Sequence, residues 1–135
     1  MQSAEKWMVL VLRLAGAFML LALLAIVMPT DWMGVGHRRL GLGEFPASAL
    51  VDYLTRSVAA LYAIHGGLYL ALATNVRRHA GVIRYVAWAN MIFGAAVIGI
   101  DLHAGLPWYW TLVEGPPVIG FGALLLLLLR GIPEN

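Results

Sequence analysis

Apolar residues do not recur here at one face of a helix; they run in long blocks separated by short polar punctuation. The first block is Trp7–Met28, broken only by Arg13. At about 1.5 Å per residue it reaches roughly 33 Å, enough for a hydrocarbon core of about 30 Å. A signal-peptide core is shorter and ends in a small-x-small cleavage site. This run instead continues into Met28-Pro29-Thr30-Asp31, so the pattern predicts an uncleaved first span over 7–28. A Gly- and Pro-punctuated polar segment, 29–46, follows as an outer loop, with Trp32, Leu40, Leu42 and Phe45 dipping towards the interface. Pro46 suits the first turn of a second helix. That helix is predicted over 47–75, with its apolar stretch after Ser57.

The short basic segment around Arg77 and Arg78 makes helices two and three antiparallel neighbours. A third span is predicted over 82–102, ended by Ala104-Gly105. A fourth, 107–129, is opened by Pro107. Gly115-Pro116-Pro117 should kink it, because proline supplies no N–H to the helix interior. The expected fold is all-α: a single transmembrane domain of 135 residues, an antiparallel four-helix bundle.

Composition agrees. Hydrophobic residues make up 61% and charged residues 12% of the chain, against roughly 45–50% and 25% in soluble domains. A soluble domain this small could not bury that much apolar surface. The net charge of +2 comes from Lys and Arg between helices, so it does not call for a nucleic-acid partner. With no cysteine, disulfides, thiol chemistry and Cys-ligated metals are excluded. Lys6, Arg13, Arg77, Arg78, Arg84 and Arg130 fall on one side of the predicted spans, against Arg38 and Arg39 on the other. The positive-inside rule then predicts cytoplasmic termini, in a bacterial inner membrane. Trp32, Trp108, Tyr109 and Trp110 form an aromatic belt at the outer interface.

Candidate chemistry lies in six ionisable side chains inside the apolar blocks: Asp52, Arg56, His65, Asp101, His103 and Glu114. Each costs on the order of 2.5–3.5 kcal/mol at a helix centre even on lenient scales, unless it faces protein or water. The predicted topology puts Asp52, Arg56, Asp101, His103 and Glu114 in one outer layer beneath Trp108 and Trp110, a polar cluster that is the candidate ligand-binding site. Asp52 and Arg56 are spaced i,i+4 and can pair. Along that face Ala59, Ala60, Ala63 and Gly67 form a small-residue stripe for helix contact. Arg56 reads either as an interhelical staple or as an anion-recognition residue; the staple needs fewer assumptions. Glu114, just before the proline break, reads either as an ion-pair partner or as a proton carrier or general acid.

Asp101 and His103 are about 200° apart on a helix and cannot face one partner. Asp101, His103 and Glu114 are metal candidates only in a loop-like arrangement, and no recognised ligand spacing is present; no metal is expected. His65, beside Val58, Leu61, Tyr62 and Tyr69, reads as a packing histidine. Haem ligation through His65 is not expected, since no second axial histidine matches its depth. No cofactor is predicted. Asn90, Gly94, Val97 and Asp101 share a stripe on helix three, with Asn90 as interhelical glue.

The segment Ile100-Asp101-Leu102-His103-Ala104-Gly105-Leu106-Pro107-Trp108-Tyr109-Trp110, with Glu114-Gly115-Pro116, resembles small uncharacterised four-helix bacterial membrane proteins. In size and span count the chain is also similar to DoxX-like proteins. It matches small multidrug transporters in size, but those carry a membrane-embedded Glu in the first helix, and helix one here has no acid. Three functions stay open: an accessory or small-ligand/lipid-binding bundle, a proton- or ion-coupled transporter, and a membrane enzyme acting on an amphipathic substrate through Glu114, Asp101 or His103. The catalytic residues are unassigned. The expected partners are the lipid bilayer and either a small amphipathic ligand or another membrane protein.

Overall fold

The computed structural model describes residues 3–133, and among these there are helices and no strand. In chain order they are α1 (Ser3–Leu20), α2 (Leu23–Val27), α3 (Thr30–Arg39), α4 (Ala49–Leu72), α5 (Ala80–Ala104) and α6 (Trp108–Leu129). Three stretches are long and apolar enough to cross a membrane: Ser3–Val27, which joins α1 to α2, Ala80–Ala104 and Trp108–Leu129. The 24 residues of α4 would reach roughly 36 Å, but α4 is not among those three; Asp52, Arg56 and His65 dilute its apolar character. Large apolar side chains cover the outside: Phe18 is 75% exposed, Val27 78% and Tyr85 73%. Such a surface would drive association in water and suits a lipid environment.

The chain divides into two compact units, Leu12–Ala71 and the combination of Met1–Val11 with Leu72–Asn135. In the first, α1 meets α4 at a glycine crossing. A Cβ on Gly16 would stand 2.8 Å from the Gly66 carbonyl oxygen, and one on Gly66 2.7 Å from that of Gly16. Backbones approach this closely only where both side chains are missing. Gly66 therefore makes the contact expected of Gly67, beside which nothing lies within 4 Å. Buried Ala59 and Ala63 continue the stripe at helical spacing. The first crossing is not one even helix: Leu21 and Ala22 donate to Phe18 and Met19 carbonyls at 3.1 Å, the tighter i→i−3 pattern.

The segment 29–46, expected as a loop, contains α3. Its polar, Gly-containing sequence hid the helix, but Asp31 lies in the first turn and His37, Arg38 and Arg39 in the last, charges that suit the helix dipole. Beyond it the chain turns at Gly41 (φ 73°) and Gly43 (φ 84°), with the His37 ring against Phe45 edge-on at 5.6 Å. The start of α4 is set by Ser48, whose hydroxyl accepts from the Val51 N–H at 3.2 Å, rather than by Pro46.

In the second unit, α5 and α6 are antiparallel. Gly94 meets Gly115 and Ile119, Gly115 meets Ile98, and Gly122 meets Ala87 and Met91, so partner numbers fall on α6 as they rise on α5. The buried positions are Ile83, Val86, Ala87, Gly94, Val97 and Asp101 on α5, and Thr111, Gly115, Gly122, Leu125 and Leu129 on α6. Steps of three, four and seven keep the α6 set on one helix face, and the α5 set follows the same spacing with Val86 beside Ala87. Gly105 at φ 68° ends α5 as a left-handed cap, the role expected of Ala104-Gly105. The helical assignment of α6 runs through Pro116 and Pro117. At the other end of the unit, Arg77 clasps the Glu5 carboxylate at 3.0 and 3.3 Å.

Gly94→Ala should destabilise the protein by about 1–3 kcal/mol, because its Cβ would meet the Gly115 carbonyl oxygen at 2.7 Å and backbone cannot yield as a side chain tip does. Gly99→Ala, with nothing within 4 Å, should be neutral or stabilising by up to about 1 kcal/mol. Reversible unfolding in mixed detergent micelles measures both.

Candidate functional site

Of the five expected cluster residues, Asp52 and Arg56 bond directly to each other. Arg56 Nε donates to Asp52 Oδ2 at 2.9 Å, as the i,i+4 spacing requires. The guanidinium then reaches the end of α2. Nη1 donates to the Ile26 carbonyl and, at 3.5 Å, to that of Ala25, while Nη2 donates to the Met28 carbonyl at 3.2 Å. These carbonyls need donors for a covalent reason. The helical partner of Ala25 would be residue 29, a proline without an N–H, and Met28 leaves the helix in an extended conformation. A helix end whose carbonyls lack partners must find donors elsewhere, above all where water is scarce. Asp52 in turn accepts from the Thr30 hydroxyl at 3.2 Å, in the first turn of α3. One ion pair thus ties the end of α2 and the start of α3 to α4.

An anion-recognition arginine keeps its fork free. Here Arg56 spends Nε, Nη1 and Nη2 on the chain itself. The residues that engage it are Asp52 and three carbonyls, a set the spacing of acids along the sequence could not reveal. Beside this clasp lies an open apolar groove of about 490 Å³, lined by Ala22, Ala25, Leu54, Val58 and Tyr62 among others.

On α5 and α6 the picture differs. Asp101 is only 3% exposed and Thr111 9%, and they are the buried polar residues among those described. Asp101 Oδ2 and Thr111 Oγ1 have no hydrogen-bond partner. His103 is exposed, as its angular separation from Asp101 demands. Glu114 is half-buried, within electrostatic range of Asp101 and within hydrogen-bonding reach of Trp110. Trp108 is 74% exposed and stacks edge-on against Tyr109 at 6.1 Å. Thr111 was not among the expected site residues. Its position one turn before Gly115 on the buried face of α6 was the available signal.

One histidine expectation changes. His65 is exposed, with Nδ1 3.2 Å from the Leu61 carbonyl oxygen of its own helix. It is satisfied locally rather than packed in a core. Asn90 Nδ2 donates at 2.8 Å to the Val86 carbonyl. Among the described residues no three His, Asp or Glu side chains gather as a metal-binding group.

Comparison with protein-family models, curated proteins and solved structures gives no match.

Replacing Arg56 should rank by geometry rather than by charge alone. Arg56→Lys keeps the cation but lacks the planar fork that serves Asp52 and the three carbonyls together. Melting temperatures in detergent should therefore fall in the order parent, Arg56→Lys, Arg56→Gln. Equal melting of the parent and Arg56→Lys would mean that the positive charge alone matters.

Proposed function

We propose that the protein is a small multi-pass protein of the bacterial inner membrane that works as an accessory or small-ligand/lipid-binding bundle rather than through a catalytic centre. In this reading α4 supplies a fourth crossing, α6 is kinked at Gly115-Pro116-Pro117, and both termini are cytoplasmic. The layout is then that of DoxX-like four-helix proteins. The observation that carries it is the engagement of Arg56: its guanidinium serves Asp52 and the carbonyls at the end of α2. The strongest candidate for recognising an anionic substrate is thus committed to internal architecture. The apolar groove beside it suits an acyl chain or another amphipathic ligand better than a polar metabolite, since apolar lining with few polar groups favours such ligands.

A second reading, an ion-coupled transporter, is favoured by one specific observation: Asp101 and Thr111 carry buried polar atoms that the chain leaves unsatisfied. Catalysis by Asp101, His103 and Glu114 together draws less support, because Asp101 is buried and His103 is exposed.

Purified Arg56→Gln and Glu114→Gln proteins separate these readings. Arg56→Gln should lose folded yield and monodispersity, whereas Glu114→Gln should purify like the parent with its co-purifying lipids unchanged by mass spectrometry. A well-folded Arg56→Gln that has shed a bound anionic ligand would reverse the assignment of Arg56.

A further inference from the structure

The α5–α6 interface is apolar or small along most of its length and ends in two oxygen donors. Asp101 is the last buried position of α5, and Thr111 the first of α6. The register brings them face to face. Gly115 contacts Gly94 and Ile98, so one turn earlier on α6 the facing positions on α5 are Ile98 and its successor one turn on, which includes Asp101. Both side chains are more than nine-tenths buried, and Asp101 Oδ2 and Thr111 Oγ1 lack any partner. A carboxylate oxygen and a hydroxyl that are both buried and do not bond to each other or to any other group are expensive in a dry interface.

No basic side chain of this unit offers relief. Arg77 is committed to Glu5, and Arg84 lies 17 residues back along α5, roughly 25 Å away. The C-terminal end of α5 and the N-terminal end of α6 lie together there, and their dipoles oppose one another. Another acid, Glu114, is half-buried and within electrostatic range of Asp101. The local field is therefore negative, and the unpartnered atoms are hard oxygens.

We propose that Asp101 and Thr111 bind a small monovalent cation of sodium's size between α5 and α6, with Glu114 adding to the negative field from one turn away. A carboxylate oxygen and a hydroxyl oxygen are the ligand types such hard cations take. One positive charge neutralises the buried Asp101. A divalent ion would need further carboxylates, and no such group exists among the described residues. The proposal rests on the ion-coupled reading above, but binding can be measured whether or not transport occurs.

The experiment is thermal unfolding of the full chain in detergent, in equal concentrations of sodium, potassium or choline chloride. The parent should melt several degrees higher in sodium than in choline, with a smaller gain in potassium. Thr111→Val should weaken the apparent sodium affinity at least tenfold, and Thr111→Ser should restore it. Asp101→Asn should abolish the sodium response while melting no lower than the parent in choline, since its uncompensated charge is gone. If Asp101→Asn does not fold, the Thr111 pair decides. A parent that melts identically in all three salts would overturn the proposal, leaving a trapped water as the partner of both oxygens. So would a Thr111→Val protein with an undiminished response. Sodium binding without sodium flux into proteoliposomes would keep the site and remove only the transport reading.

Discussion

Hydrogen-bonding groups in this chain have little water to fall back on, and the clasp of Arg56 shows how that constraint is met. Pro29 removes the donor that the Ala25 carbonyl would have used, and Met28 turns the backbone out of α2. The end of α2 is therefore short of donors. Arg56 supplies them from α4 and is itself neutralised by Asp52, which also receives the Thr30 hydroxyl. An arginine held by an acid and three carbonyls lets the chain break and turn into α3 without stranding its backbone.

Elsewhere backbones are brought into close contact at glycines. Gly16 faces Gly66 in one unit; Gly94 faces Gly115, and Gly122 faces Ala87, in the other. Lipid tails are as apolar as leucine, so helix association in a bilayer depends on such contact rather than on burying greasy surface. This explains how side chains as large as Phe18, Tyr85 and Trp108 can stay exposed without destabilising the fold. Their favourable environment is lipid, not the core.

Against that background Asp101 and Thr111 stand out chemically. Every other buried residue on their two helix faces is apolar or glycine. Replacing both with apolar residues of similar shape would remove the desolvation cost without disturbing the packing, so their presence is not accounted for by architecture alone. Arg56, which the sequence suggests as a centre of one polar layer with Glu114, bonds to Asp52 and to carbonyls at the end of α2. The charge with architectural partners and the charge without them lie in different units.

By itself, the sequence determined that this is a helical protein with apolar stretches of membrane length, because hydropathy and helix rise depend only on composition and order. Local spacing also carried the Asp52–Arg56 pair, the Gly105 cap and the divergence of Asp101 from His103, since each is a matter of angle along one helix. It did not carry α3, whose polar glycine-containing segment is indistinguishable from a loop until its ends are anchored. Nor did it separate Gly66 from Gly67, or mark Thr111. Those depend on which face each helix turns towards its neighbour, a choice made by backbone approach between residues far apart in the chain. Only the tertiary structure decided that Arg56 is satisfied and Asp101 is not: the donors and acceptors concerned are carbonyls and hydroxyls that any sequence possesses, and their availability is set by where the chain breaks and folds back.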